Sequence, residues 1–232
     1  MIGPELRMAF VRVVQALGTR RDEFVFVGGA IRGLITNDPA APPARPTKDL
    51  DVIIEAATFV DMLGVQNYLR AHGFVEDPTG PTCRWCLDDL VIDVMSTGDG
   101  PWGPANRWYP SAIKESEAID LGGGAVIRAI SAVHFLATKL EAFISRGQGD
   151  LVASHDIEDV VAVIDGRASL LDELEATDDD VRQFIRERLN ELLSTPDVGD
   201  IVAGHLGGDS ASQARLPLVL ERIRRLARRT RI

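Results

Sequence analysis

The chain has only two cysteines among its 232 residues. That is too few for a disulfide framework, so a reducing compartment is expected. No run approaches the roughly 20 apolar residues that a membrane-spanning helix needs. The opening Met1-Ile-Gly-Pro-Glu-Leu-Arg7 lacks a basic leader followed by an apolar core, so no secretory signal is expected and the cytoplasm is the expected location. Basic residues are also short, with 25 Lys and Arg against 35 Asp and Glu and a net charge of −10, which argues against a broad nucleic-acid-coating surface. What is present fits a globular protein of one large domain or two modest ones: 45% of residues are apolar and 26% charged.

The charge is unevenly placed. Residues 215–232 hold seven arginines and one glutamate. They read as a terminal amphipathic helix over 213–229, either a solvated arginine face that balances an acidic body or a nucleic-acid contact. Apolar periodicity predicts a helix over 4–17 closed by Gly18, a strand at 23–27, a Gly28-Gly29 turn and a short helix over 30–36. The proline-rich stretch 38–46 cannot be regular structure and reads as a site-lining loop, because proline removes donors and restricts its neighbours. Next come a strand at 49–54, a helix over 57–72, strands at 82–87 and 90–95 joined by Asp88-Asp89, a loop over 97–110, and strands near 115–121 and 125–130. From Ser131 the pattern is helical, over 131–146, 155–165, 167–175, 178–194 and 213–229, with another helix near 197–205. The expected organisation is an α/β part over 1–130 and a helical part over 131–232.

The stretch Thr47-Lys-Asp-Leu-Asp-Val-Ile-Ile54 carries the most chemistry. Alternation along a strand sends Asp49 and Asp51 to one face, with Cα atoms roughly 6.5 Å apart. Two like charges so close repel, and a divalent cation between them explains the pair; a solvated strand start is the structural alternative. Val91-Ile-Asp-Val-Met95 places Asp93 inside an apolar strand, which is costly unless that acid is paired or metal-bound. If strand 90–95 lies beside strand 49–54, Asp93 completes a two-metal clamp; otherwise it is a sheet-edge residue facing solvent. Gly28 and Gly29, between a strand and a helix, can aim backbone N–H groups at a phosphate. Arg32 would neutralise that phosphate or pair with an acid.

At these residues the chain resembles the nucleotidyltransferases of the DNA polymerase β superfamily, and within it the AbiEii-like group found as toxins of type IV toxin–antitoxin systems. Phe26-Val-Gly-Gly-Ala30 matches the glycine motif, and Arg45-x-Thr47-x-Asp49-x-Asp51 matches the Arg-x-Ser/Thr-x-Asp-x-Asp motif. The resemblance spans roughly residues 23–165. It implies a mixed-sheet polymerase β-type α/β (α+β) core followed by a helical C-terminal bundle. It also implies transfer of a nucleoside monophosphate from an NTP substrate to an acceptor hydroxyl, with Mg²⁺ or Mn²⁺ held by Asp49, Asp51 and Asp93. Gly28, Gly29, Thr47, Lys48 and Lys139 would bind the nucleotide. Asp156 would orient or deprotonate the acceptor, or support Lys139. The implied partners are tRNA or another RNA as acceptor and an antitoxin protein. Many superfamily members have Gly-Ser where this chain has Gly28-Gly29, and Ile31-Arg32-Gly33 lacks the acid of the CCA-adding group.

The same residues also admit nucleotidylation of a small molecule or a protein, or a binding module that keeps the fold without catalysis. Lys139 on its own pattern is a snorkelling lysine, and Asp156 lies at a helix start where Ser154 caps. Three patterns are set aside. Cys83 and Cys86 have redox-like spacing, but an odd separation in a strand puts the thiols on opposite faces. Arg128 and His134 have the spacing of a ribonuclease motif but straddle a strand–helix junction. Trp108 and Tyr109 could stack a base or pack on the sheet.

Overall fold

Pro4, Glu5 and an apolar stripe at helical spacing set the first element, α1 (Pro4–Leu17). Proline is tolerated in the first turn, and Glu5 complements the positive end of the helix dipole. Phe10, Val13, Val14 and Leu17 are buried along one side. A 3₁₀ stretch, Gly18–Glu23, leads into β1 (Phe24–Val27), every residue of which is buried. A further 3₁₀ turn, Gly29–Ile31, runs into α2 (Arg32–Ile35). Then come β2 (Asp49–Ile54) and α3 (Phe59–Ala71). Thr58 and Asp61 form a reciprocal capping box that satisfies the first donors of α3. The strands β3 (Val75–Glu76), β4 (Arg84–Leu87) and β5 (Leu90–Ser96) follow, then α4 (Tyr109–Lys114), β6 (Glu117–Asp120) and β7 (Val126–Ala129).

The computed structural model describes residues 2–41, 49–98, 106–146 and 149–228. Among them, seven strands form one mixed sheet in the order β3-β4-β5-β2-β1-β7-β6. The β2–β5 and β1–β7 pairs are parallel and the remaining pairs antiparallel. One face carries Trp85, Ile92, Val94, Leu50, Val52, Ile54, Phe24 and Phe26, all buried. α1 and α3 cover this face: Phe10 meets Phe26 edge-on with ring centroids 5.1 Å apart, and the Arg70 guanidinium of α3 lies 5.7 Å from the Trp85 ring. Each such aromatic contributes about 2–3 kcal/mol by leaving water. The opposite face carries Arg84, Asp93, Asp51 and Asp49, and it is where chemistry can reach solvent.

The chain divides into two compact units, Met1–Leu34 with Ala44–Ser131 and Ile35–Pro43 with Ala132–Ile232. The second is helical: α5 (Ala132–Arg146), α6 (His155–Gly166), α7 (Leu170–Ala176), α8 (Asp179–Leu193), α9 (Val198–Gly204), α10 (Ser210–Gln213) and α11 (Leu216–Ala227). Two local expectations are corrected. The loop expected over 97–110 gives way at Tyr109 to α4, because Pro110 sits in a first turn where no helical donor is needed. The terminal helix expected over 213–229 starts later, at Leu216 with Pro217 in its first turn, and the short α10 ends at Gln213 before it. No described helix is long and apolar enough to cross a membrane.

Residues 35–41 belong to the helical unit through specific bonds. The amides of Asn37 and Asp38 donate to the Gly166 carbonyl at 2.9 and 3.0 Å, and Arg167 donates to the Ile35 carbonyl at 2.7 Å. Arg215 bridges Asp38 and Asp165, both at 2.7 Å. Arg215 holds the Asp38 carboxyl below its usual range, whereas burial pushes that of Asp165 up against the pull of the same guanidinium. Arg215→Met leaves Asp165 buried without its cation. We expect a loss of about 3 kcal/mol in urea denaturation, since an orphaned buried charge is strongly destabilising; an unchanged midpoint would show that the pair contributes nothing.

Candidate active site

The register of the sheet decides which sequence-level candidates meet. Asp51 stands opposite Asp93 across the parallel β2–β5 pair, and Val27 opposite Asp51 across the antiparallel β1–β2 pair. Strand alternation then places Asp49, Asp51 and Asp93 on one face. Asp49 is exposed and Asp51 half-buried, while the Asp93 side chain retains 16% of its exposure.

Gly28 follows Val27 directly and turns at φ +70, a conformation that side chains rarely adopt. A β-carbon built there would lie 1.9 Å from Asp51 Oδ2 and 2.7 Å from its Cγ. The glycine turn and the second acid of the pair are therefore in van der Waals contact, and the contact exists because position 28 has no side chain. Gly29 starts the 3₁₀ turn after it. Arg32 is buried, so it is not a surface cation. Arg45, Thr47 and Lys48, named from the motif, lie outside the described residues.

Asp93 has an arrangement that the sequence reading did not anticipate. Arg84 stands opposite it across the antiparallel β4–β5 pair and donates two parallel hydrogen bonds, Nε to Oδ1 and Nη2 to Oδ2, each 2.9 Å. Among the described residues, no three acidic, imidazole or thiol groups are arranged so as to hold a metal together. Asp49 and Asp51 on their own still suit Mg²⁺, which is commonly held by one or two carboxylates and completed by substrate phosphates and water. The Asp49 and Asp51 carboxylates thus fit an oxygen-loving divalent cation, with Asp93 engaged by a guanidinium.

The second unit contains its own charged cluster. Lys139 on α5 lies 2.7 Å from Asp159 and 3.1 Å from Asp156, both on α6. Arg146 reaches Asp156 at 3.3 Å. Ser154 caps α6 by accepting from the Ile157 amide at 3.3 Å, as the sequence suggested. Of the two roles foreseen for Asp156, support of Lys139 is the one visible in these contacts. Asp159 was missed. Its signal is an acid at i+3 from Asp156, adjoining the apolar Val160 and Val161, where an unpaired carboxylate would be costly. Burial opposes the Lys139 charge, but Asp159 and then Asp156 more than reverse this, so its pKa lies above the ordinary 10.5.

The discounted patterns have plain structural roles. Cys83 is buried and Cys86 half-buried, both as free thiols. Arg128 bonds the Asp22 and Ile113 carbonyls and the Ser116 hydroxyl, and His134 is buried within α5. Tyr109 packs on the sheet, its hydroxyl 3.3 Å from the Met95 sulfur. Along α8, a groove of about 470 Å³ is lined by charges that pair with one another, such as Arg188 with Glu191.

Two outcomes follow from this geometry. Gly28→Ala forces both a strained φ and a collision with Asp51, so a stability loss of at least about 1 kcal/mol is expected in denaturant melts. A neutral result would mean that the turn and the acid are not in contact. For Lys139, a raised pKa means that its stabilisation is complete below the unfolded value of 10.5 and is lost as pH rises through the folded value. Denaturation profiles should therefore fall on the alkaline side for the native chain, and this limb should be missing in Lys139→Met.

A comparison of the chain with family models finds no match, and a comparison with curated proteins finds none either.

Proposed function

We propose that the chain is a metal-dependent nucleotidyltransferase with a polymerase β-type core, similar to the AbiEii-like group. The observation that carries this reading is the contact between the Gly28 turn and Asp51, with Asp49 on the same face of the same strand. A backbone able to approach a phosphate closely and a carboxylate pair able to hold a divalent ion are what binding a metal–triphosphate requires. The mixed seven-stranded sheet supports the polymerase β-type core.

In the proposed reaction, an acceptor hydroxyl oxygen attacks the α-phosphorus of an NTP. A new P–O bond forms, the bond to the bridging oxygen of the β-phosphate breaks, pyrophosphate leaves and the hydroxyl proton is released. Mg²⁺, when bound, supplies charge neutralisation to the phosphates. Asp49 and Asp51 hold that ion, and the backbone at Gly28 and Gly29 leaves room for the phosphates and offers donors to them. Within the helical unit, Asp159 and Asp156 keep the Lys139 ammonium charged.

The acceptor is proposed to be an RNA 3′ end, with tRNA as the leading candidate. Support comes from Arg224, Arg225 and Arg228, which are exposed at the end of α11, whereas Arg215 and Arg222 are held inside the helical unit. Removing the whole tail would destroy packing, because Val219, Ile223 and Leu226 are buried. The better probe is Arg224→Glu/Arg225→Glu/Arg228→Glu. It should weaken RNA binding strongly at low salt and little at high salt. An equal loss at all salt concentrations would contradict a phosphate contact.

The reaction itself is tested with labelled NTPs offered with total tRNA or with cell extract. Asp49→Ala should reduce label transfer at least about 100-fold while the circular dichroism spectrum is unchanged. Undiminished transfer would remove the mechanism. Label on protein or on small molecules in the extract, with none on RNA, would overturn the RNA acceptor and leave the transfer reading intact.

A further inference from the structure

The third acid of the sheet face is already neutralised by a residue of the chain. β4 and β5 form a hairpin whose register sets Arg84 opposite Asp93, and the adjacent parallel pairing sets Asp93 opposite Asp51. Arg84, Asp93 and Asp51 therefore lie in one row across three neighbouring strands. The guanidinium grips both oxygens of Asp93 at 2.9 Å, the two-pronged geometry that arginine and carboxylate favour. The pair is only partly open to water, with 29% of the Arg84 side chain and 16% of that of Asp93 exposed.

Resting on the nucleotidyltransferase reading, we infer that Arg84 is the fixed cation of this site: it takes the third carboxylate, Asp93, so that the site works with one divalent ion, held by Asp49 and Asp51, rather than two. Three features lead there. A metal bound to Asp93 would have to displace two charge-assisted hydrogen bonds or sit beside a guanidinium of the same sign. Arginine cannot relieve that repulsion by losing its proton, as a lysine could. The register sets Arg84 in one row with Asp93 and Asp51, so its positive charge is fixed on the acidic face itself. The chain's own side chain thus provides, without metal, the neutralisation that a second ion would give. Arg84 is a positioning and specificity residue here, acting through Asp93.

The test is a count of bound Mn²⁺ by electron paramagnetic resonance, in the full-length protein saturated with a non-hydrolysable NTP analogue. The native chain should hold one Mn²⁺ per complex. Arg84→Met, which frees Asp93 and keeps the stem, should hold two. Asp93→Asn with Arg84 retained should still hold one, and this variant carries the test should Arg84→Met fail to fold. Two ions in the native complex would overturn the inference while leaving the metal-dependent reading standing. So would one ion in a folded Arg84→Met, or loss of the ion in Asp93→Asn. No ion in the native complex would overturn both.

Discussion

The parallel pairing of β2 with β5 sets Asp51 directly against Asp93, two like charges on neighbouring strands of a sheet whose other face buries Trp85, Leu50, Val52, Phe24 and Phe26. Paired residues on neighbouring strands are about 5 Å apart, close enough for carboxylates to destabilise one another unless positive charge is supplied. Much else in the first unit answers that constraint. The β4–β5 hairpin delivers a guanidinium to one acid. The Gly28 turn closes against the other. α1 and α3 cover the face opposite the acidic row.

The helical unit solves a similar problem differently. There a single ammonium, Lys139, is set between two carboxylates one helical turn apart on α6. Its partners make the charge more secure than burial alone would allow. Farther along, Arg215 ties Asp165 to Asp38, which precedes the segment carrying Arg45 and Thr47. In both units arginine appears where an acid is held in a fixed geometry. The acidic chain therefore uses several of its scarce cations internally.

Much of this was legible in the sequence because the signals were local. Alternation placed Asp49 and Asp51 together, the glycine pair marked the turn, and Ser154 marked the start of α6. Asp93 could be located on a strand, but its neighbour across a parallel pairing depends on contacts about forty residues away, to which no local pattern points. Arg84 was legible in principle. A two-residue turn at Asp88-Asp89 pairs Leu87 with Leu90 and, counting back, Arg84 with Asp93. Arg215 and Arg222 looked like part of a solvated basic face because their partners lie at least fifty residues away in the chain. The helix at Tyr109–Lys114 was hidden by Pro110, which reads as a breaker except in a first turn.

The central claim is that the face bearing Asp49 and Asp51 binds a nucleoside triphosphate through a divalent metal. The most direct measurement is calorimetric titration of the protein with each NTP, with and without Mg²⁺. Saturable binding that requires Mg²⁺ and disappears in Asp51→Asn is the predicted result. Absence of binding in the presence of Mg²⁺, or binding that is the same with the metal chelated, would contradict the account.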